Sequence, residues 1–322
     1  MPSINLSWQT KKKNLLAFSA GVDSSALFFL LLEKQIKFDI ALVNYGTRKN
    51  SDVEEKHAKD LAKKYNITCY SIKAPKFTNN FERDAREFRY DFFKKICSEH
   101  KYENILTAHQ LNDQLEWLLM RLTKGAGLSE LIGLTLKSKR EHYTLVRPLL
   151  ESSKDELLTY LNQNDYPYFV DESNLEDTYE RNRFRKEFSD PLMKKYTDGI
   201  RRSFEYLNRD KDSLENRFET TYANKELRVI KLHDINAKSK AVDLTLKELG
   251  YLLSSAQRKE IESSDSLVIG GLWAIERKDN FIYIAPYIES TMPKKFKEEC
   301  RVKKIPSKIR PYLCQEGIDL LL

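Results

Sequence analysis

The chain has 322 residues, of which 41% are hydrophobic and 32% are charged, with 55 Lys and Arg residues against 48 Asp and Glu residues. This length predicts two domains, and the composition excludes collagen, low-complexity disorder and a disulfide-stabilised scaffold. Four cysteines occur without CxxC spacing, which favours neither a zinc site nor a redox pair. No apolar run is long enough to cross a membrane, and no signal-peptide core is present. We therefore expect a cytoplasmic protein with no membrane partner.

The first half of the sequence alternates short apolar runs with helix-like stretches. The predicted strands are 15–18, 38–43, 67–72 and 104–107, and the predicted helices are 25–33, 51–65, 81–99 and 113–124. Strands separated by helices predict an α/β fold, with an open parallel sheet that helices cover on both faces. Such Rossmann-like sheets bind ligands beyond the carboxyl ends of their strands, so the loops after the strands form the candidate site.

The pattern changes after residue 170. The predicted elements are a charge-rich helical connector over 187–222, a short strand from 228, a helix near 244–263 and a hairpin with arms 266–269 and 281–285. We therefore expect a catalytic domain over 1–205 and a smaller α+β domain over 206–322 that includes part of the connector.

Most of the net charge of +7 lies in one stretch near the C-terminus. Between Pro293 and Pro311 there are eight basic and two acidic residues, a net charge of +6. Lysine and arginine release counterions from nucleic-acid phosphates, so the stretch predicts a polyanionic partner. A solvated surface loop is the alternative. The candidate phosphate contacts are Lys294, Lys295, Lys303 and Lys304.

The segment Ser19–Ser25 directly follows the first predicted strand and opens the first predicted helix. Its small residues allow a phosphate to approach the backbone, and the helix N-terminus supplies N–H groups and a partial positive charge. The lysine of the NTPase P-loop is absent. The segment is similar to the SGGxDS loop of the PP-loop ATP pyrophosphatases, which cleave ATP between the α and β phosphates. Ala20 stands where that family usually has Gly, so a positive φ there would be strained.

Further segments extend the resemblance in the same order along the chain. They are 43–48, 82–90, 107–116 with Arg121, Gly125 and Gly127, 147–150, 171–174 and 181–185. This set resembles the tRNA(Ile)-lysidine synthase family over roughly the first 200 residues. The resemblance implies a ligase that joins lysine to C2 of the wobble cytidine (position 34) in a CAU-anticodon isoleucine tRNA, so that the tRNA reads AUA instead of AUG. ATP first adenylates the C2 oxygen and releases pyrophosphate, and the lysine ε-amine then displaces AMP.

The resemblance also implies ligands and roles. ATP would be the co-substrate with Mg²⁺, isoleucine tRNA and free L-lysine would be the partners, and a homodimer is compatible with it. The implied ATP-binding residues are Ser19, Ala20, Gly21, Val22, Asp23 and Ser24. The implied catalytic residues are Asp23, Arg86, His109, Asp113 and Glu116, of which Asp23 and Asp113 would hold Mg²⁺. The implied tRNA or phosphate contacts are Arg181 and Arg185, together with the four lysines named above.

The spacing of two acids supports these roles without fixing them. Asp113 and Glu116 are three residues apart and share a helix face, where they suit a lysine ammonium, Mg²⁺ or a proton. An exposed acid pair is the alternative. Four residues depart from the family pattern. Tyr45 and Gln110 replace His, Asn112 replaces an acid, and Trp117 replaces Thr.

Two other functions stay open. A PP-loop tRNA thiolase carries sulfur on cysteine, but Cys69 and Cys97 fall in a predicted strand and helix, and no cysteines pair as CxxC. A non-enzymatic RNA-binding protein would not need Asp23, Asp113 and Glu116. Incorporation of lysine rather than sulfur separates the two enzymes, and release of pyrophosphate separates an enzyme from a binding protein.

Overall fold

The structure is a computed structural model, and it describes residues 2–8, 12–46, 51–77, 81–170, 180–215 and 217–319. The chain divides into two compact units, Met1–Asn208 and Arg209–Leu322. The segment 171–174, which the family resemblance singled out, lies outside the described residues, as do residues 47 and 48.

The first unit alternates strands and helices. Its strands are β1 (Asn14–Ala17), β2 (Asp39–Asn44), β3 (Cys69–Lys73), β4 (Asn104–Leu106), β5 (Lys137–Lys139) and β6 (Thr144–Val146). Its helices are α1 (Val22–Glu33), α2 (Ser51–Lys64), α3 (Phe81–His100), α4 (Leu111–Leu122), α5 (Leu128–Leu131), α6 (Lys154–Gln163) and α7 (Glu180–Phe184). A π-helical segment, Arg185–Ser189, joins α7 to α8 (Asp190–Glu215), in which the division between the two units falls.

Six strands of the described part of this unit form one sheet in the order β3-β2-β1-β4-β6-β5. All neighbours are parallel except β5, which runs antiparallel to β6 at the edge. The predicted α/β fold is confirmed. β5 and β6 were not predicted, because each has only three residues and β5 is polar. The strand order reverses at β1, so a crevice opens beyond the carboxyl ends of β1 and β4.

Strand β1 shows that the sheet is buried on both faces. Its adjacent residues Leu15 and Leu16 are both fully buried, and adjacent residues of a strand point to opposite faces. Leu16 lies in a core cluster with Phe28 of α1 and Leu157 of α6, whereas Leu15 lies in another with Phe93 of α3. Because helices cover both faces, β1 is apolar throughout its centre and is held firmly beneath the loop that follows it.

The second unit is built on an antiparallel sheet. Its strands are β7 (Phe218–Asn224), β8 (Leu227–Leu232), β9 (Ser266–Ile269), β10 (Trp273–Lys278) and β11 (Phe281–Pro286), in the order β7-β8-β11-β10-β9. Its helices are α9 (Lys238–Glu248), α10 (Ser255–Ser263), α11 (Lys294–Val302) and α12 (Arg310–Glu316). Val229 packs with α11 and α12, and its neighbour Ile230 packs with α9 and α10, so helices cover both faces here too.

Three predictions for this unit were wrong. The expected hairpin is a three-stranded meander, because each of its two turn signals closes a separate turn and β10 lies between them, paired with β9 and β11. The expected helix near 244–263 is two helices, separated by Gly250 at φ +84°. The expected connector over 187–222 ends at Glu215, and its β-branched and aromatic residues, including Thr220 and Tyr222, form β7.

Candidate active site

The phosphate-binding candidate is the loop between β1 and α1. The Ser24 hydroxyl accepts from the Ser19 backbone N–H at 3.2 Å and donates to the Gly21 carbonyl at 3.2 Å, so the loop closes on itself. Ala20 has φ +59°, so its backbone is strained, as the sequence predicts for a positive φ at a residue other than Gly. Its carbonyl accepts from the Phe169 backbone N–H at 2.9 Å, and this bond holds the strained residue in place.

Asp23 carries a buried oxygen that lacks a donor. Its Oδ1 has no hydrogen-bond partner among the residues that the structure describes. Burial, reinforced by the nearby Asp113 carboxylate, raises the pKa of Asp23 to about 7. A buried, unpaired carboxylate oxygen beside a second carboxylate is suited to a cation, so Asp23 and Asp113 fit the Mg²⁺ ion that the family resemblance implies.

Two of the departures from the family pattern act as helix caps. Gln110 precedes α4, and its Oε1 accepts from the Asn112 N–H at 2.6 Å while Asp113 Oδ2 accepts from the Gln110 N–H at 3.0 Å. Asn112 Oδ1 accepts from the Lys154 N–H at 3.1 Å, at the start of α6. The Asn112 side-chain carbonyl therefore holds the start of α6, and the capping bond holds Asp113 in a fixed position.

Two arginines pair with the acids of α4. Arg181 Nε lies 2.8 Å from Glu116 Oε2, Arg185 Nε lies 2.6 Å from Glu116 Oε1, and Arg181 also pairs with Asp113. The Glu116 side chain is 2% exposed, against 21% for Arg185 and 43% for Arg181. Arg181 and Arg185 lie four residues apart, across the junction of α7 and the π-helical segment. The acids and arginines predicted separately thus form one ion-pair cluster.

A cavity of about 410 Å³ lies beyond the carboxyl ends of β1, β2 and β4. Its lining collects side chains from the segments 19–25, 43–48, 82–90, 107–116 and 181–185, whereas 147–150 contributes none. The polar and aromatic lining residues are Phe18, Ser19, Asp23, Ser24, Tyr45, Arg86, Arg89, Tyr90, Phe93, Thr107, His109, Asp113, Arg181, Asn182 and Arg185. Arg86 and Arg89 lie 5.1 and 5.8 Å from the Tyr90 ring centroid.

His109 enters this cavity as a neutral side chain. Burial lowers the pKa of His109 to about 4, and its Nδ1 lies 3.0 Å from the Thr107 hydroxyl. A neutral imidazole whose Nδ1 is engaged in this way offers Nε2 as a hydrogen-bonding group.

The comparisons with known proteins give the family of the chain. Residues 3–192 match the PP-loop domain family. A tRNA(Ile)-lysidine synthase of Campylobacter jejuni strain RM1221 is 47% identical, with 96% of this chain and 95% of that protein covered. One from Helicobacter pylori strain 26695 is 42% identical, with 94% and 90% covered. The chain belongs to the tRNA(Ile)-lysidine synthase family. Members are ATP-dependent ligases that form a carbon–nitrogen bond on tRNA.

A solved structure of a U34-tRNA thiolase from Methanococcus maripaludis shares the fold. It is 22% identical, with a TM-score of 0.50, and the match covers 62% of this chain and 72% of that one. At this identity the likeness shows the fold alone. Among the described residues, no group of three or more His, Cys, Asp and Glu side chains lies together as a metal site, and no helix could span a membrane.

Sequence reasoning missed two residues beside the acids. Lys154 and Asp190 line a smaller cavity of about 90 Å³ together with Asp23, Asp113 and Glu116. Lys154 could have been found from the capping box of Ser153 and Glu156, which places it in the first turn of α6 directly after the 147–150 segment of the lysidine synthase family. Asp190 carries no such local signal.

The four lysines predicted to contact phosphate lie in the second unit. Lys294 and Lys295 open α11, Lys303 and Lys304 follow its end, and all four are exposed. Lys303 pairs with Asp319, so part of its charge is neutralised within the chain. Their role in binding tRNA stays a prediction.

Proposed function

We propose that this chain ligates L-lysine to C2 of the wobble cytidine of CAU-anticodon isoleucine tRNA in the cavity at the carboxyl ends of β1 and β4. ATP is consumed, and pyrophosphate and AMP are released. The observation that carries the proposal is that the phosphate loop, Asp23, Asp113 and the arginines converge on one cavity. Its volume of about 410 Å³ is within the range of small-molecule sites.

The first step is adenylation of the C2 oxygen. The Ser19–Ser24 loop and the N-terminus of α1 bind the pyrophosphate portion of ATP, which leaves with its charge held by backbone N–H groups. Asp23 and Asp113 would hold Mg²⁺, which would neutralise phosphate charge. Arg86 and Arg89 provide further cations in the lining of the cavity. His109 is placed to form a hydrogen bond to the adenylate or the base.

The second step needs a lysine ammonium to bind and then lose a proton. Arg181 and Arg185 pair with the acids that would receive it. Arg181 is the more exposed, so it moves to the α-phosphate when the nucleotide binds, which leaves Asp113 for Mg²⁺ and one oxygen of Glu116 for the ammonium. The exchange keeps the buried carboxylates paired in both states, and an unpaired buried carboxylate would be costly. The same carboxylates are placed to take the proton before the amine attacks.

The second unit is the proposed tRNA-binding domain. Its exposed lysines carry charge suited to the phosphate backbone, and phosphate contacts set affinity and register without reading the sequence. A cytoplasmic location and a homodimer stay predictions. Gel filtration with light scattering would test the oligomeric state.

The deciding experiment incubates the purified chain with bulk tRNA, ATP, Mg²⁺ and radiolabelled lysine, and counts acid-precipitable label. Label should appear only when ATP and tRNA are both present, with pyrophosphate released in equal amount. The Asp23→Asn variant is the matched control and should lose at least about 10²-fold in pyrophosphate release, the scale of a preorganised electrostatic contact. Pyrophosphate release without lysine incorporation would refute the proposed function.

A further inference from the structure

A row of aromatic side chains leads outward from the cavity. Tyr45 lines the cavity, and its ring meets Phe81 edge to face, with centroids 6.1 Å apart. Phe81 meets Phe77 at 5.9 Å, and Phe77 meets Phe88 at 6.1 Å, again edge to face. We refer to these four residues as the aromatic rim.

The aromatic rim is not part of a buried core. None of its members belongs to the hydrophobic clusters of the described residues, and each remains at least partly accessible. Phe81 is the most open, at 37% exposure. Tyr45 is fixed in orientation because its hydroxyl donates to the Ala85 carbonyl at 3.1 Å. Accessible aromatic rings that continue from a cavity-lining tyrosine are suited to contact a partner.

Two arginines that line the cavity lie on the same helix as two of the rings. Arg86 and Arg89 belong to α3, as do Phe81 and Phe88, whereas Arg83 of that helix pairs with Asp84. Aromatic faces beside guanidinium groups bind unstacked nucleic-acid bases and the phosphates that join them. The family acts on a base in an RNA loop, and that base must leave the stack to reach the cavity.

We propose that the aromatic rim stacks the bases beside the target cytidine, above all the adenine that follows it in the CAU anticodon. This inference rests on the proposed function, because it takes the anticodon loop as the substrate. A purine offers the largest face for stacking. Once the cytidine enters the cavity, its neighbour loses a stacking partner, and Phe81 with Phe77 replaces it. The aromatic rim thus contributes to tRNA affinity and leaves ATP binding unaffected.

The test uses the full chain and a tRNA transcript in which 2-aminopurine replaces that adenine. Stacking on an aromatic ring quenches 2-aminopurine fluorescence. Phe81→Ala and Phe81→Leu should each weaken tRNA binding by at least about fivefold, the lower end for one base stacked on an aromatic side chain, and should restore fluorescence. Phe81→Tyr keeps a ring and should stay within about twofold of the unchanged chain. The control Tyr196→Ala removes another exposed aromatic, 59% exposed, and should change neither signal.

The Leu variant separates recognition from packing. If Phe81→Leu binds tRNA as well as the unchanged chain and still quenches the probe, Phe81 contributes only apolar packing and does not stack on a base. That result overturns the inference. Unchanged ATP affinity in all variants supports the inference, whereas a parallel loss of ATP affinity overturns it. Quenching by a chain that does not incorporate lysine would support the aromatic rim while refuting the proposed function, so the two failures are distinguishable.

Discussion

Replacing Glu116 by Gln removes the negative charge that two guanidinium groups share. The Glu116 side chain is 2% exposed, and its two oxygens accept from Arg181 and Arg185 at 2.8 and 2.6 Å. A glutamine has one accepting oxygen, and its amide nitrogen presents hydrogens to guanidinium groups that also donate. The variant therefore weakens the pairing of both arginines with position 116, and Arg181 keeps its pairing with Asp113.

The size of the effect follows from burial. Removing one partner of a buried ion pair costs about 3–5 kcal/mol, and the lower value applies because Arg181 is 43% exposed and can turn to water. For a unit of about 200 residues, about 3 kcal/mol lowers Tm by about 6–12 °C. Both arginines line the cavity, so we expect adenylation and lysine transfer each to slow by at least about tenfold.

Scanning calorimetry and single-turnover kinetics measure the two effects separately. Adenylation is followed by pyrophosphate release, and transfer by lysine uptake on preformed adenylated tRNA. Glu141→Gln is the control, because Glu141 is 77% exposed and pairs only at the surface with Lys94 and His142, so its loss should cost less than about 1 kcal/mol. A Glu116→Gln protein with unchanged Tm and normal adenylation would refute the role of Glu116 in holding the arginines.

Three further changes test other parts of the chain. Replacing all four cysteines by serine should leave turnover intact in folded protein. Burial raises the pKa of Cys69 to about 11 and of Cys97 to about 12, which disfavours the reactive thiolate. Loss of activity in the folded variant would support the thiolase alternative. Gly133→Ala should lower the free energy of unfolding in urea by about 1–3 kcal/mol, because the new methyl would lie 2.4 Å from the Trp117 indole. Most of this loss of stability should disappear in a Trp117→Thr background. Replacing Lys294, Lys295, Lys303 and Lys304 by glutamine should raise the KM for tRNA and flatten the salt dependence of tRNA binding between about 50 and 200 mM. The KM for ATP should stay constant. An unchanged salt dependence would count against the second unit as a tRNA-binding domain.

Local signals were sufficient for the first four strands of the parallel sheet and for the phosphate loop, and insufficient for β5 and β6 and for partners far apart in sequence. The segment from Ser19 to Ser25 is contiguous, so its position between a strand and a helix could be predicted. The pairing of Glu116 with Arg185 joins residues 69 positions apart, and no residue pattern specifies it. The antiparallel meander was missed for a related reason, because β10 pairs on both sides and its Glu276, Arg277 and Lys278 obscure a strand pattern.

The hydrogen bond from Phe169 to Ala20 makes the phosphate loop depend on a chain segment almost 150 residues downstream. During synthesis the loop emerges early, together with β1 and α1, but the contact that fixes its left-handed residue forms only after α6 has been made. Contacts of such long sequence separation form late, because the intervening chain must be ordered first. A nascent chain that ends before residue 169 therefore carries the complete loop sequence without the tether that shapes it. The shape of the phosphate loop thus requires the chain to extend at least to Phe169, because the sequence of the loop alone does not supply this contact.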